Sequence, residues 1–459
     1  MPQYQTNCII VSKTSESKLY NYCEEQCTAS KLLKNATKFR CRQLLFAHEK
    51  KYQDLLNHQI EVIEEFDTYT TDVYKKIGNN NYLPSANQFQ KMYERTKNPD
   101  YYNPNLAAQT SIQIVRKVIN EFKGYFSSIK DYWKNPSKYT GKPKLPNYIK
   151  SDRSTATYTN QDCTIYYINN KTYLKLPNMK EDTAKKTRPR RRGYVYLGNL
   201  KINHLIQVEI QPYYDTYKLC ITYLKDEPNL NLNNNRILGV DPGLNNFLTT
   251  SNNCGLSPFI IDGKEMKSYN QHYNEKLAYL KSRLSNKQHT SKQIQRLSRQ
   301  RDCYFNNKFH QIIYYIISYC KNNNIGSIVY GHNKFQKQNY NKGNIQNQHF
   351  CFMPNFKFLK MLKLKCGFYG IQVIETEESY TSKASFLDMD NIPIYGQING
   401  VLNFSGTRKY RGCYVSKDGT KINADVNGAS NIIRKVFPNA FDNIKDLTYL
   451  TETVYKIKI

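Results

Sequence analysis

Ile237-Leu238-Gly239-Val240-Asp241-Pro242-Gly243-Leu244-Asn245-Asn246 is the stretch on which the fold turns. A short apolar run ends on a carboxylate, and a Pro-Gly turn follows at once. This reads as a buried β-strand that presents Asp241 near its end. Phe247-Leu248-Thr249-Thr250 continues as a second strand. A stiff strand fixes the carboxylate in place, and the turn after it clears room for a phosphate. A strand ending in Asp-x-Gly is also an ordinary structural turn, so the rest of the chain must decide between the two.

The 459 residues suffice for two or more domains. Lys and Arg number 67 against 37 Asp and Glu, a formal net charge of +30. That excess is too large for an ordinary enzyme of small metabolites and points to a polyanion, nucleic acid first. A membrane surface competes, but no apolar run is long enough to span a bilayer. Met1-Pro2-Gln3-Tyr4 also lacks the charged start and apolar stretch of a signal peptide. The expected setting is intracellular and soluble: cytoplasm or nucleoid, or the nucleus of a eukaryotic or viral host. The 40 Tyr against one Trp (Trp133) suit base stacking. An A+T-rich gene would raise Tyr too, and it accounts for Tyr better than for Lys. The 12 Cys are scattered, as buried thiols rather than disulfides would be. Cys23, Cys27 and Cys41 have no second close pair to complete a zinc site.

The first half reads as strands flanking helices. Cys8-Ile9-Ile10-Val11 is a strand, and residues 17–70 have helical periodicity carrying Lys31, Lys34, Lys38, Arg40 and Arg42. Val115, Val118, Ile119, Phe122 and Phe126 mark one face of an amphipathic helix. A basic, proline-marked loop with Lys142 and Lys144 follows, then strands near 164–176 and 194–223. Between these lies Lys185-Lys186-Thr187-Arg188-Pro189-Arg190-Arg191-Arg192, read as a phosphate clamp in preference to a solvated loop. Asn229 to Arg236 reads as a linker. The second half opens with three short strands, the third at Phe259-Ile260-Ile261. A long helical region, 268–323, presents a basic outer face that includes Arg296, Arg299 and Arg301. Strand 328–330, helix 356–366, strand 371–374 and a last helix at 425–436 complete the order. Three strands followed by alternating helices and strands is the order of an α/β RNase H-like fold.

Nucleases of that fold cut phosphodiesters with two divalent ions about 3.5–4 Å apart, held by carboxylates from separate elements. The ions offset the repulsion between those carboxylates. Asp241 supplies the first acid. Asp425, on the opening turn of the last helix, supplies another; alone it would pass as a helix N-cap. The strand Ile328-Val329-Tyr330 should end in Glu but ends in Gly331-His332. The next strand ends Glu375-Thr376-Glu377-Glu378. Alternation sets Glu375 and Glu377 on one face and Glu378 on the other. The register stays open between Glu377 and Glu378, with Glu378 preferred.

With these residues in place the sequence resembles the transposon-encoded TnpB nucleases, relatives of the Fanzor proteins and of type V CRISPR effectors. The resemblance rests on ordered motifs across 106–436. They are Asn135-Pro136-Ser137-Lys138-Tyr139 through Lys142-Pro143-Lys144-Leu145-Pro146, Gly239-Val240-Asp241-Pro242-Gly243, Asn324-Ile325-Gly326, Glu378-Ser379-Tyr380-Thr381-Ser382-Lys383, and Asn423-Ala424-Asp425-Val426-Asn427-Gly428-Ala429. It implies a multidomain α/β protein: residues 1–233 an N-terminal, wedge-like β-barrel with a helical recognition insertion at about 17–135, and 234–459 a RuvC-like nuclease domain. It further implies a guide RNA transcribed from the adjacent locus, double-stranded target DNA, a short target-adjacent motif and Mg2+, or Mn2+ in its place. Asp241, Glu378 and Asp425 become the catalytic and metal-binding acids, with Glu377 the alternative to Glu378. Nucleic-acid contacts fall to Lys142, Lys144, Arg188, Arg190, Arg191, Arg192, Arg296, Arg299 and Arg301.

The chain departs from the family twice. Gly331 stands where most members carry the middle Glu; a subset places it where Glu378 is. The two Cys pairs that bind zinc in most members are missing from the insertion at about 383–420, where Cys413 alone precedes Asp425, so no structural zinc is expected. The expected activity is RNA-guided DNA cleavage. A nuclease-dead guided repressor and an RNA-independent resolvase are the competing readings. Monomer and homodimer are both left open, and no membrane partner is expected.

Overall fold

The computed structural model describes residues 3–48, 50–66, 83–179, 194–225, 230–333, 353–394, 396, 403–410, 412–444, 446–452 and 454–459. The chain divides into two compact units, residues 2–225 and 226–459. The sequence placed the boundary at 233/234, inside what is now a strand.

The first unit contains β1 (Gln3–Val11), α1 (Ser17–His48), α2 (Asn57–Glu64), α3 (Ala86–Thr96), α4 (Ala108–Lys134), β2 (Ala156–Thr159), β3 (Thr164–Ile168), β4 (Lys171–Lys175), β5 (Tyr194–Tyr196), β6 (His204–Tyr213) and β7 (Thr216–Lys225). The helices fall between β1 and β2. Among the described residues the expected barrel is not found. The strands form one antiparallel sheet, β1-β7-β6-β2, and a separate sheet, β3-β4-β5. Among the described residues no pairing joins the edges β1 and β2, because β3 to β5 hydrogen-bond to one another instead. The two sheets share one apolar core through Leu174, Val195, Val208, Tyr217 and Leu219, with Cys23 and Cys27 of α1. The second half of α1 turns to a different core, built with Val62, Phe89, Val115 and Phe122. The periodic residues singled out in 115–126 therefore do face inward, Phe126 only in part.

The second unit contains β8 (Asn233–Pro242), β9 (Asn246–Asn252), β10 (Phe259–Asp262), α5 (Lys264–Ser282), α6 (Lys292–Asn322), β11 (Ile325–Gly331), α7 (Asn355–Gly367), β12 (Gln372–Thr376), β13 (Thr407–Tyr410), β14 (Cys413–Val415), β15 (Lys421–Asn423), α8 (Ala424–Val436), α9 (Thr448–Thr451) and β16 (Tyr455–Ile457). Its main sheet runs β12-β11-β8-β9-β10-β16. β8, β9 and β10 are an antiparallel meander, while β11 and β12 add in parallel on the other edge of β8. Parallel addition requires a long crossover, which α5, α6 and α7 supply. Two sequence expectations change. The linker read at 229–236 passes into β8, because Asn233 to Arg236 extend the strand past its apolar run. The single helical region of 268–323 is two helices, parted around Ser285 to Ser291, where Ser291 caps α6 by accepting from the Ile294 N–H. Among the described residues, no helix is long and apolar enough to cross a membrane.

Candidate active site

β8 is buried on both faces, and its alternation aims the site. Leu238 and Val240 join the core with Phe309, Ile313 and Phe358. Ile237 points the other way, into the core with Val426, Ile432 and Ile433 of α8. Residues of one parity share a face, so Gly239 and Asp241 follow Ile237 toward α8. The approach is close enough to require glycine. A Cβ on Gly239 would stand 2.5 Å from the Ala429 carbonyl oxygen, and one on Gly428 would stand 2.9 Å from Asp241 Oδ2. The Asp241 carboxylate thus lies against the opening turns of α8.

Asp425 is the second residue of that helix. Asn423, not Asp425, is the N-cap: its side-chain oxygen accepts from the N–H groups of Asp425 and Val426 at 3.0 and 3.3 Å. Asp425 is therefore free of the capping role the sequence left open. Its Oδ2 accepts from Asn246 Nδ2 at 2.8 Å, and Oδ1 pairs with Arg408 at 3.3 Å.

The strand alternation invoked for the second acid does not reach it, because β12 stops at Thr376. Contacts beyond the strand divide the three candidates. Glu375 pairs with Lys363 at 2.5 Å. Glu377 pairs with Lys435 and accepts from the Ser379 N–H at 3.2 Å. Glu378 is held by its own N–H, which donates to Asn333 Oδ1 at 2.9 Å. Its side chain fills the room beside the end of β11. A Cβ on Gly331 would stand 2.8 Å from Glu378 Cγ and 2.9 Å from its Oε1. A Glu at 331 and Glu378 would claim the same space, and here Gly331 leaves it to Glu378.

The charges record this crowding. Burial pushes the Asp241 carboxyl well above the usual carboxylate range; the Glu378 and Asp425 charges push the same way, and Arg408 opposes them. Burial, aided by the Glu377 charge, lifts Glu378 to about 7. Burial works against the Glu377 charge as well, yet the hydrogen bonds from Lys435 and Ser379 outweigh it and hold that carboxyl low. Among the described residues, no three His, Cys, Asp or Glu side chains form a ready cluster for one ion. The donor set still fits a divalent cation. It consists of hard carboxylate oxygens from three elements, with a like-charge crowding that a bound cation relieves.

The basic residues divide sharply. Lys142 and Lys144 are exposed, with Lys142 Nζ 5.1 Å above the Trp133 ring. Arg188, Arg190, Arg191 and Arg192 lie outside the described residues. Arg296 is exposed on α6, and Arg299 is partly covered. Arg301 departs from the expected outward face. Its Nε donates to Asn270 Oδ1 at 2.8 Å, and its guanidinium lies over Tyr273 and Phe305, between α5 and α6. On α1, Lys34, Lys38 and Arg42 donate to the carbonyls of Thr155, Asn147 and Pro146. Arg40 pairs with Glu65 at 2.6 Å. That helix spends its charge tying down an extended strap, whose carbonyls lack ladder partners.

Sequence reasoning missed Arg408, Asn246, Asn333 and Lys435. Arg408 had one available signal. β15 runs straight into α8, so a hairpin ending there must hold β13 near the opening turn of that helix.

Two family models match the chain. One is described as OrfB_IS605, probable transposase, over residues 219–336; the other as Cas12f1-like, TNB domain, over 356–432. The second spans Glu378, the β13-β14-β15 sheet and Asp425. None of the curated proteins compared matches. Among solved structures, the Cas12f1–sgRNA–target DNA complex contains a chain 13% identical to this one, with a TM-score of 0.50. The match covers 94% of this chain and 98% of that one. A CRISPR-Cas12f ternary complex matches at 14% identity and a TM-score of 0.32, over 91% and 81% of the two chains. Two segments of the chain are thus similar to the OrfB_IS605 transposase and Cas12f1-like TNB families, and the chain has a Cas12f-like fold.

Proposed function

We propose that this protein is an RNA-guided endonuclease that cuts double-stranded DNA beside a short adjacent motif by metal-dependent hydrolysis. The observation that carries the reading is Glu378 in the space beside Gly331, its charge and that of Asp425 both acting on Asp241. Gly331 taken alone would favour a nuclease-dead repressor. With Glu378 in that room, the acid set has its middle member.

Asp241, Glu378 and Asp425 would hold the divalent ions, Mg2+ or Mn2+. Such ions activate the attacking water and stabilise the leaving oxygen of the phosphodiester. Asp241 is held by the strand, Asp425 by its capped helix, and the backbone of Glu378 by Asn333. Arg408 now rests on Asp425 and is placed to exchange that carboxylate for a substrate phosphate. Glu377 serves the site by holding Lys435. The first unit, with exposed Lys142 and Lys144, would hold the guide and its heteroduplex through their backbones.

The test begins with expression of the gene in its native flanking DNA and sequencing of the RNA that purifies with the protein. The expected result is one discrete, structured RNA ending in gene-flanking sequence. With Mg2+ and that RNA, the protein should cut matched duplex, and Asp241→Ala should bind it without cutting. Random RNA or none would overturn the guided reading and favour the resolvase. Binding without cutting by the unaltered protein would favour the repressor.

A further inference from the structure

We propose that Cys8 and Cys220 are a redox modification site, a thiol pair that closes into a reversible cross-strand disulfide when met by a small disulfide oxidant of the glutathione type. This inference is independent of the nuclease reading. The two residues are direct partners in the antiparallel register of β1 and β7. Their sulfurs lie 2.7 Å apart as thiols. Directly opposed residues in such a pair have Cα atoms about 4.5–5.5 Å apart, inside the roughly 4.4–6.8 Å that disulfides span. No backbone movement is needed to bring them together.

Their setting differs from that of the other cysteines in the unit. Cys23, Cys27, Cys41 and Cys163 are sealed in apolar cores, where burial pushes their thiols up and blocks approach. Cys8 is exposed. The face it shares carries Thr6 against Thr222, Lys218 on the adjoining pair, and Glu209 opposite Cys220 on β6. Glu209 is held by Lys117, Thr157 and Gln211. The hydrogen bond shared by the two sulfurs lowers the Cys8 thiol below its ordinary range; burial opposes this, the Lys218 charge assists it and the Glu209 charge opposes it. The attacking thiol is thus the accessible one, and the covered one resolves.

The chemistry balances. The Cys8 thiolate attacks one sulfur of oxidised glutathione, breaking its S–S bond and releasing one glutathione thiolate. Cys220 then gives up its proton and attacks the Cys8 sulfur of the mixed disulfide, expelling the second glutathione. The two protein thiols lose two electrons and two protons, and one glutathione disulfide becomes two thiols. The product staples edge strand β1 to β7 and closes a loop that contains the whole helical insertion. Long loops of this kind constrain the unfolded chain most.

The test uses the full chain, equilibrated with defined ratios of reduced to oxidised glutathione, alkylated, and cut with trypsin without reduction. The expected product links peptide 1–13, which contains Cys8, to peptide 219–225, which contains Cys220. The link should vanish on reduction, and the oxidised protein should melt higher than the reduced one. In Cys220→Ser, Cys8 should instead accumulate as a stable glutathione adduct, several-fold above the unaltered protein. Three results would overturn the proposal: both thiols still fully alkylated at the oxidising end, an equal Cys8 adduct with and without Cys220, or a link between Cys8 residues of two copies.

Discussion

At the residue scale, Gly331 and Glu378 behave as one position divided between two elements. A carboxylate reaches the end of β11 either from 331 itself or from the turn after β12, and the space admits one of them. Glu378→Gln should therefore lower cutting by about a hundredfold or more, the scale on which a single electrostatic partner acts. Glu377→Gln should cost less than about tenfold, since Glu377 already has Lys435. Gly331→Glu should overpack the site, at about 1–3 kcal/mol. Adding Glu378→Gly should recover much of that loss in a double-mutant cycle read by thermal melting. Additive losses would sink the shared-space argument. Glu378 also sets a pH dependence. Its folded pKa, raised to about 7 from 4.5, means that the folded state binds the extra proton. Stability is unpenalised by Glu378 below 4.5, falls as pH rises between these values, and stays penalised above about 7. In chelator, the difference in melting temperature between Glu378→Gln and the unaltered protein should grow from pH 5 to pH 8. Mg2+ should shrink it at pH 8. The candidate acids Asp241 and Asp425 stand out in the sequence because each sits at the end of a patterned element. Glu378 was legible only as one of a pair, because its register is set by hydrogen bonds beyond the strand rather than by strand alternation.

At the scale of elements, the site depends on how closely β8 and α8 meet. Gly239 and Gly428 permit that approach, and the alternation of Ile237, Gly239 and Asp241 converts it into the aim of a carboxylate. Gly239→Ala meets the Ala429 carbonyl and Ile433, so strand and helix must separate. The expected cost is about 1–3 kcal/mol, together with a fall in cutting larger than the fall in guide or target binding. Cutting assays at matched occupancy check this; equal loss of binding and cutting would point to general unfolding. The chain order of β8 to β12 and α8 could be read from the sequence because each apolar run keeps one period over its length, whereas β13 to β16, three or four residues each, were not read. The β-barrel expected in the first unit came from resemblance rather than pattern. Local pairing among β3, β4 and β5 satisfies their ladders and leaves the other sheet open at β1 and β2.

At the scale of the whole molecule, a charge of +30 announces a polyanion but does not say which cations meet it. The structure separates them by what each already binds. Lys34, Lys38 and Arg42 serve a strap of their own chain, and Arg301 serves the packing of α5 on α6. Lys142 and Arg296 are exposed. Counterion release makes the affinity for duplex fall with salt at a slope of about 0.9 per phosphate neutralised. Lys142→Ala and Arg296→Ala should each lower the slope of log affinity against log salt by about one, with little change in melting temperature. Arg301→Gln should do the reverse, lowering the melting temperature and leaving the slope nearly unchanged, because its guanidinium is already engaged by Asn270, Tyr273 and Phe305 between two helices. Filter binding across 50–200 mM salt, at roughly the range where such slopes are steep, distinguishes these outcomes. If Arg301→Gln flattened the slope as much as Arg296→Ala, the outward basic face read from the sequence would stand, and the packing role assigned to Arg301 would fall.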